Sequence, residues 1–118
     1  MSVETVKGDE YSIEYHGDSH VLLFRGTIRL QSAEDYAPAV VLMQKAQAEC
    51  AGANLTMDFR QLEFLNSSGI NSISKFVIAA RKEDRIGLTV RGNKDIYWQQ
   101  KSLSNLQKLW SKVVIAID

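Results

Sequence analysis

The sequence predicts an α/β domain in which a mixed, mostly parallel sheet follows an N-terminal antiparallel hairpin. Two strand-like segments lie next to each other near the N-terminus, and helical and strand-like segments alternate after them. Strands separated by helices favour parallel pairing, with helices covering the sheet. The predicted order is β-β-α-β-α-β-α-β with three main helices. The chain has 118 residues, 45% of them hydrophobic, which is enough for one core, so we expect residues 1–118 to form a single domain.

The hairpin is predicted from a pattern of alternation, turn and alternation. Tyr11 to His16 alternates in the manner of a half-buried strand, and Val21 to Phe24 is a compact apolar run. Between them, Gly17, Asp18 and Ser19 are residues that favour a turn. The first two predicted strands therefore pair antiparallel.

The first helix is predicted between the hairpin and Gly52. Ser32 with Asp35 three residues later is typical of a helix start, and the following Ala- and Gln-rich stretch to Cys50 favours a helix. Pro38 lies slightly late for a first-turn proline. Two alternatives follow from it: the helix begins nearer Asp35, or its first turns are kinked.

The rest of the chain continues the alternation of strand and helix. Asn54 to Phe59 is predicted to be a short strand that ends at about Asp58, and a short turn is expected before the second helix. The second helix starts at Ser67, and its apolar residues recur at helical spacing. The remaining elements are a strand from Gly87 to Val90, a helix containing Leu103, Leu106 and Trp110, and a β-branched strand from Val113 to Ile117.

Composition and motifs exclude several functional classes. Lys plus Arg and Asp plus Glu both number 14, so no net positive field favours nucleic acid. We find neither a signal-peptide core nor a run of about 20 apolar residues, and with a single cysteine, Cys50, a cytoplasmic protein without membrane insertion is expected. His16 and His20 lack other ligands at metal-binding spacing, and no phosphate-cradling glycine motif occurs. We therefore predict no metal, no cofactor and no enzymatic activity.

One segment suggests chemistry beyond structure. Asn66, Ser67 and Ser68 are good N-cap residues, and a well-capped second helix would by itself explain them. A serine at a helix N-terminus is also a favourable place for a phosphate, because unpaired N–H groups and the helix dipole attract negative charge. Gly69 either weakens the first turn or lets a partner approach the backbone, and close approach is the interpretation we favour.

Residues 66–70, Asn-Ser-Ser-Gly-Ile, resemble the Asp-Ser-Ser-Gly-aliphatic motif of the STAS family, found between a strand and a helix. The predicted element order is similar to that of the family over nearly the whole chain. The resemblance implies a small bacterial anti-sigma factor antagonist, a phosphoprotein that regulates transcription. Its phosphoacceptor would be Ser68, with Asn66, Ser67 and Gly69 contributing to the partner surface. The implied partners are an anti-sigma factor or histidine-kinase-like ATPase-fold serine kinase and a phosphoserine phosphatase.

Two features leave alternatives open. Asn66 stands where the family commonly has Asp, which indicates either a different class of kinase partner or loss of phosphorylation. Ser67 and Ser72 are alternative acceptors, because the sequence does not establish which hydroxyl points outward. A constitutive STAS scaffold subunit, bound to the ATPase of an ABC transporter without phosphorylation, is the rival hypothesis.

Overall fold

The computed structural model describes residues 3–118 and contains a six-stranded mixed sheet in the order β1-β2-β3-β4-β5-β6. The two pairs among β1, β2 and β3 are antiparallel, and β3 to β6 run parallel to one another. The predicted fold class is therefore confirmed. The strands are β1 (Val3–Lys7), β2 (Tyr11–His16), β3 (Val21–Ile28), β4 (Asn54–Leu65), β5 (Gly87–Gly92) and β6 (Val114–Ile117). The helices are α1 (Ala37–Glu49), α2 (Ser67–Glu83), α3 (Tyr97–Ser104) and the single turn α4 (Leu106–Leu109).

The helices pack on one face of the sheet. Along β2 and β5 every second residue is buried, while its neighbours are partly or fully exposed, as expected of strands covered on one side only. Tyr15 on the buried face contacts Cys50 at the end of α1, with 3.4 Å between the Tyr15 Oη and the Cys50 Sγ. Phe24 and Phe59 stack in the centre with ring centroids 4.5 Å apart. Cys50 is thus a packed core residue.

Strand β1 is an element that the sequence pattern did not predict. It pairs antiparallel with β2 from Val3 opposite His16 to Lys7 opposite Ser12. None of its residues is buried, so the apolar periodicity that identifies the other strands is weak here. The predicted hairpin of β2 and β3 is present, and β1 adds a third antiparallel strand at the edge.

Strand β4 is longer than predicted, because the chain does not turn after Asp58. It continues to Leu65, and its second half pairs with β3 alone, since its pairing with β5 ends at Asp58 opposite Arg91. Side chains of α3 replace the missing strand along the open side. The Gln99 Nε2 donates to the carbonyls of Phe59 and Leu62 at 2.6 and 2.8 Å. Polar side chains of a later helix therefore stabilise this extension.

Helix α1 begins two residues after Asp35. Residues 33–36 form turns, with the Asp35 N–H donating to the Ser32 hydroxyl at 3.2 Å. Pro38 is therefore in the first helical turn, where its missing N–H costs nothing, and the first of the two alternatives is correct.

The predicted third helix is divided at Asn105 into α3 and α4, and Trp110 packs in the core as expected. No helix within residues 3–118 is long and apolar enough to cross a membrane.

Gln99 offers a direct test of how the extended end of β4 is held. It is fully buried, and its Oε1 also accepts from the Asn93 N–H at 2.8 Å. We expect Gln99→Met, which keeps the size but removes the side-chain partner of three backbone groups, two of them in buried bonds, to lower the free energy of unfolding by about 3 kcal/mol. Gln100→Met at the exposed neighbouring position is the control. Equal urea-unfolding curves for the two variants would contradict this role.

Candidate functional site

The candidate site lies where β4 passes directly into α2. Only Asn66 separates the last residue of β4 from the first residue of α2, and its backbone is extended, with φ −78° and ψ 174°. The Asn66 N–H donates to the Ile28 carbonyl at the end of β3, at 3.2 Å, and its own carbonyl accepts from the Ile70 N–H at 3.0 Å. The start of α2 is thereby fixed to the carboxyl end of the parallel sheet.

The Asn66 side chain makes three further hydrogen bonds. Its Oδ1 caps the helix by accepting from the Gly69 N–H at 3.0 Å, and it also accepts from the Tyr36 hydroxyl at 2.6 Å. Its Nδ2 donates to the Leu30 carbonyl at 2.8 Å. Burial raises the pKa of Tyr36, so its hydroxyl keeps the proton that it donates. The oxygen and the nitrogen of this amide are therefore both used within the domain.

These contacts give a physical reason for asparagine at position 66. An aspartate would keep the cap to Gly69, but it would place a carboxylate oxygen against the Leu30 carbonyl, where a donor is required. The departure from the Asp-Ser-Ser-Gly motif is thus explained within this domain, without reference to a kinase. Participation of Asn66 in a partner surface stays a prediction.

Gly69 is buried against residues of the same chain. A Cβ at this position would lie 2.7 Å from the Tyr36 Oη and closer still to Leu65. The close approach that we expected of a partner is therefore already made by side chains from β4 and from the residue before α1. Packing within the domain accounts for this glycine, and its role in partner binding stays a prediction.

The three candidate phosphoacceptors have different environments. Ser67 is exposed and Ser68 is partly exposed, and among the hydrogen bonds of residues 3–118 none uses either hydroxyl. Ser72, one turn further, donates its hydroxyl to the Ser68 carbonyl at 3.1 Å. The hydroxyls of Ser67 and Ser68 are therefore the ones available at the start of the helix.

The local electrostatics favour an anion near these hydroxyls. The first N–H groups of a helix have no intrahelical partner. The Asn66 side chain accepts from the Gly69 N–H, which leaves the N–H groups of Ser67 and Ser68 without an intrahelical partner. The first turn of α2 contains no acidic residue, and Arg81 and Lys82 lie in its last turn. The positive end of the helix dipole is thus not neutralised by a local side chain.

Apolar side chains precede this helix start in the sequence and line the groove between α2 and α3. Phe64, two residues before Asn66, exposes 43% of its surface. Ile70 and Trp98 line a small apolar pocket between α2 and α3, and the Trp98 Nε1 is bonded to the Glu63 carbonyl at 2.9 Å. The sequence pattern indicated neither Phe64 nor Tyr36 as a site residue. The contact of Tyr36 with Asn66 depends on the path of the chain before α1, which no local motif indicates.

The histidines do not form a metal site in the part of the chain that the structure describes. The His16 Nε2 lies 3.0 Å from the Glu14 Oε1, and His20 lies in the turn between β2 and β3 with a positive φ of 57°. Residues 3–118 contain no group of three or more His, Cys, Asp or Glu side chains that could hold a metal ion.

Comparison with known proteins places this geometry in a structural context. No family model and no curated protein matches the chain. Among solved structures, SiaC of Pseudomonas aeruginosa superposes with a TM-score of 0.71 at 17% identity, covering 100% of this chain and 98% of that chain. A chain from the crystal structure of the diguanylate cyclase SiaD in complex with its activator SiaC, also from Pseudomonas aeruginosa, gives 0.73 at 14% identity, with 97% of both chains covered.

An anti-sigma factor antagonist from Mycobacterium paratuberculosis gives a TM-score of 0.53 at 19% identity, covering 96% of this chain and 84% of that chain. The chain has a STAS-like fold. At these identities the comparisons show the fold, and the roles of residues 66–70 stay predictions. In the STAS-like fold of this chain, that motif joins β4 to α2.

Replacing Asn66 by aspartate tests the role of its amide nitrogen, because the two side chains have nearly the same shape. We expect Asn66→Asp to lower the free energy of unfolding by about 1–3 kcal/mol, because the Leu30 carbonyl loses its donor and faces a carboxylate. The matched control is Asn71→Asp, the same chemical change at an exposed position in α2. Urea unfolding at pH 7 measures the difference, and equal stabilities for the two variants would show that the amide donor is dispensable.

Proposed function

We propose that this chain is a partner-binding regulator, switched by phosphorylation of Ser68 and acting as the substrate of a kinase, not as a catalyst. The observation that carries the proposal is the hydroxyl of Ser68, which no described residue binds, at the second position of a helix whose start is fixed by Asn66. Ser67 is the alternative acceptor. Ser72 is disfavoured because its hydroxyl is bonded to the Ser68 carbonyl.

Phosphorylation would change the surface while leaving the fold intact. A phosphate adds about −1.5 to −2 charges at neutral pH, and a helix N-terminus tolerates this charge. The contacts that hold the start of α2 come from Asn66, whose side chain and backbone are bonded to other parts of the domain. The surface around Ser68 would become anionic and hydrated, so a partner docked on the uncharged hydroxyl would be released.

The solved structures suggest the kind of partner. SiaC is described as the activator of a diguanylate cyclase, and its superposition with this chain is closer than that of the anti-sigma factor antagonist. We infer that the partner is a signalling protein of one of these two kinds, an enzyme that is activated on binding or an anti-sigma factor. A serine kinase, of the histidine-kinase-like ATPase fold in our hypothesis, and a phosphoserine phosphatase would set the state of Ser68.

The experiment combines phosphopeptide mapping with binding. Protein isolated from its native cells is expected to carry phosphate on Ser68, as shown by intact mass and fragmentation. In pull-downs from the same cells, Ser68→Ala should retain the partner. Ser68→Asp should bind it about ten-fold more weakly, a difference of about 1.4 kcal/mol in binding free energy.

Ser72→Ala, whose hydroxyl is bonded to the Ser68 carbonyl, is the matched control one turn further along α2 and should bind like the unmodified chain. Ser67→Ala tests the alternative acceptor. Capture that is indifferent to every substitution, from protein that carries no phosphate, would rule out the switch. Such a result, with an ABC-transporter ATPase as the stable partner, would instead establish the constitutive scaffold.

A further inference from the structure

The two edges of the sheet differ in how they are protected. Edge strands of monomeric proteins are commonly guarded by charged residues. Strand β1 carries Glu4 and Lys7, and Glu4 is bonded to Lys45 of α1 at 2.6 Å. Strand β6 at the opposite edge has the sequence Val-Ile-Ala-Ile and carries no charge. The β6 edge therefore lacks the protection found at β1.

The core is also incomplete at β6. On β5, Leu88 and Val90 are almost completely buried, with exposures of 1% and 0%. On β6, Ile115 and Ile117 pack against the same core but stay partly exposed, and Val114 exposes 55% of its surface. A further strand beside β6 would cover these isoleucines.

The backbone hydrogen bonds show which groups face outward. The Asp118 N–H donates to the Gly92 carbonyl at 3.2 Å, and the Asp118 carbonyl accepts from the Lys94 N–H at 3.1 Å, so residue 118 faces β5. Because backbone directions alternate along a strand, residues 114 and 116 also face β5, and the groups of Ile115 and Ile117 point away from the sheet. Within residues 3–118 no strand pairs with this outer side.

We propose that β6 pairs antiparallel with β6 of a second copy of this chain, about a two-fold axis at Ala116. In this register Ile115 faces Ile117 of the second copy, and by symmetry Ile117 faces Ile115 of the second copy. Each pair exchanges two backbone hydrogen bonds, so all outward N–H and C=O groups of these two residues are satisfied. A two-fold axis makes the surface self-complementary and closes the assembly at a dimer. The isoleucine pairs extend the core of each copy across the interface.

Side-chain size and charge agree with this occupant. Ala116 would lie opposite itself, where its small side chain permits close approach of the strands. Lys112 precedes β6 and Asp118 follows it, so antiparallel pairing brings the positive end of one strand beside the negative end of the other. Both side chains are largely exposed, at 64% and 74%, and their ion pairs with Asp84 and Arg91 are solvent-exposed, so exchanging them for a partner across the interface costs little.

Cysteine crosslinking tests both the partner and the register. Residues at a non-hydrogen-bonded antiparallel pair have Cα atoms about 4.5 Å apart, within the span of a disulfide. We expect Ala116→Cys to form a covalent dimer under mild oxidation. Val114→Cys is the matched control on the same face of β6. Its copies would lie about 13 Å apart, too far to bridge. The only native thiol, Cys50, is buried and should not react.

Introducing a positive or a negative charge at Val114 gives an independent measurement that needs no oxidation. In the proposed register Val114 faces Asp118 of the second copy. Val114→Lys should therefore tighten the dimer and Val114→Asp should weaken it, each by about 2- to 30-fold in sedimentation equilibrium, since the pair occurs twice. A chain that stays monomeric in every form would overturn the pairing of two copies, and equal crosslinking at both cysteine positions would overturn the register.

Discussion

The hydrogen bonds of Asn66 join three parts of the chain that are distant in sequence. Its side-chain amide connects the segment after β3 through the Leu30 carbonyl, the residue before α1 through the Tyr36 hydroxyl, and the first turn of α2 through the Gly69 N–H. Because Asn66 satisfies this cap from within the domain, the adjacent serines are not needed as caps. Asn66 therefore holds the start of the helix, and Ser68, two residues later, presents its hydroxyl.

The one-sided architecture explains why the site can be presented without disturbing the core. The helices cover a single face of the sheet, and α2 begins at the end where the parallel strands terminate. The extended end of β4 carries the chain beyond β5, and Gln99 and Trp98 of α3 bond to its open carbonyls. The start of α2 thus rests on a rigid strand. A charge added at Ser68 would act on the surface and on a docked partner, not on the buried packing.

The sequence predicted what local chemistry determines. The cap at residues 66–68, the amphipathic period of α2 and the alternation of β2 follow from neighbouring residues, and the structure contains all of them. The continuation of β4 to Leu65 was missed because polar residues interrupt its pattern, and the hydrogen bonds that stabilise it come from α3, about 40 residues later. The partners of Asn66 were missed for the same reason, since the Tyr36 hydroxyl and the Leu30 carbonyl come from before α1.

We expect the start of α2 to accept a phosphate on Ser68 while the domain stays folded. The most direct measurement is NMR of the chain with phosphoserine introduced genetically at position 68. We predict that the amide signals of residues 67 and 68 move downfield, that core signals stay in place, and that the second pKa of the phosphate falls below its usual value of about 6. Shifts that spread through α2 and the core, with an unchanged phosphate pKa, would contradict the account.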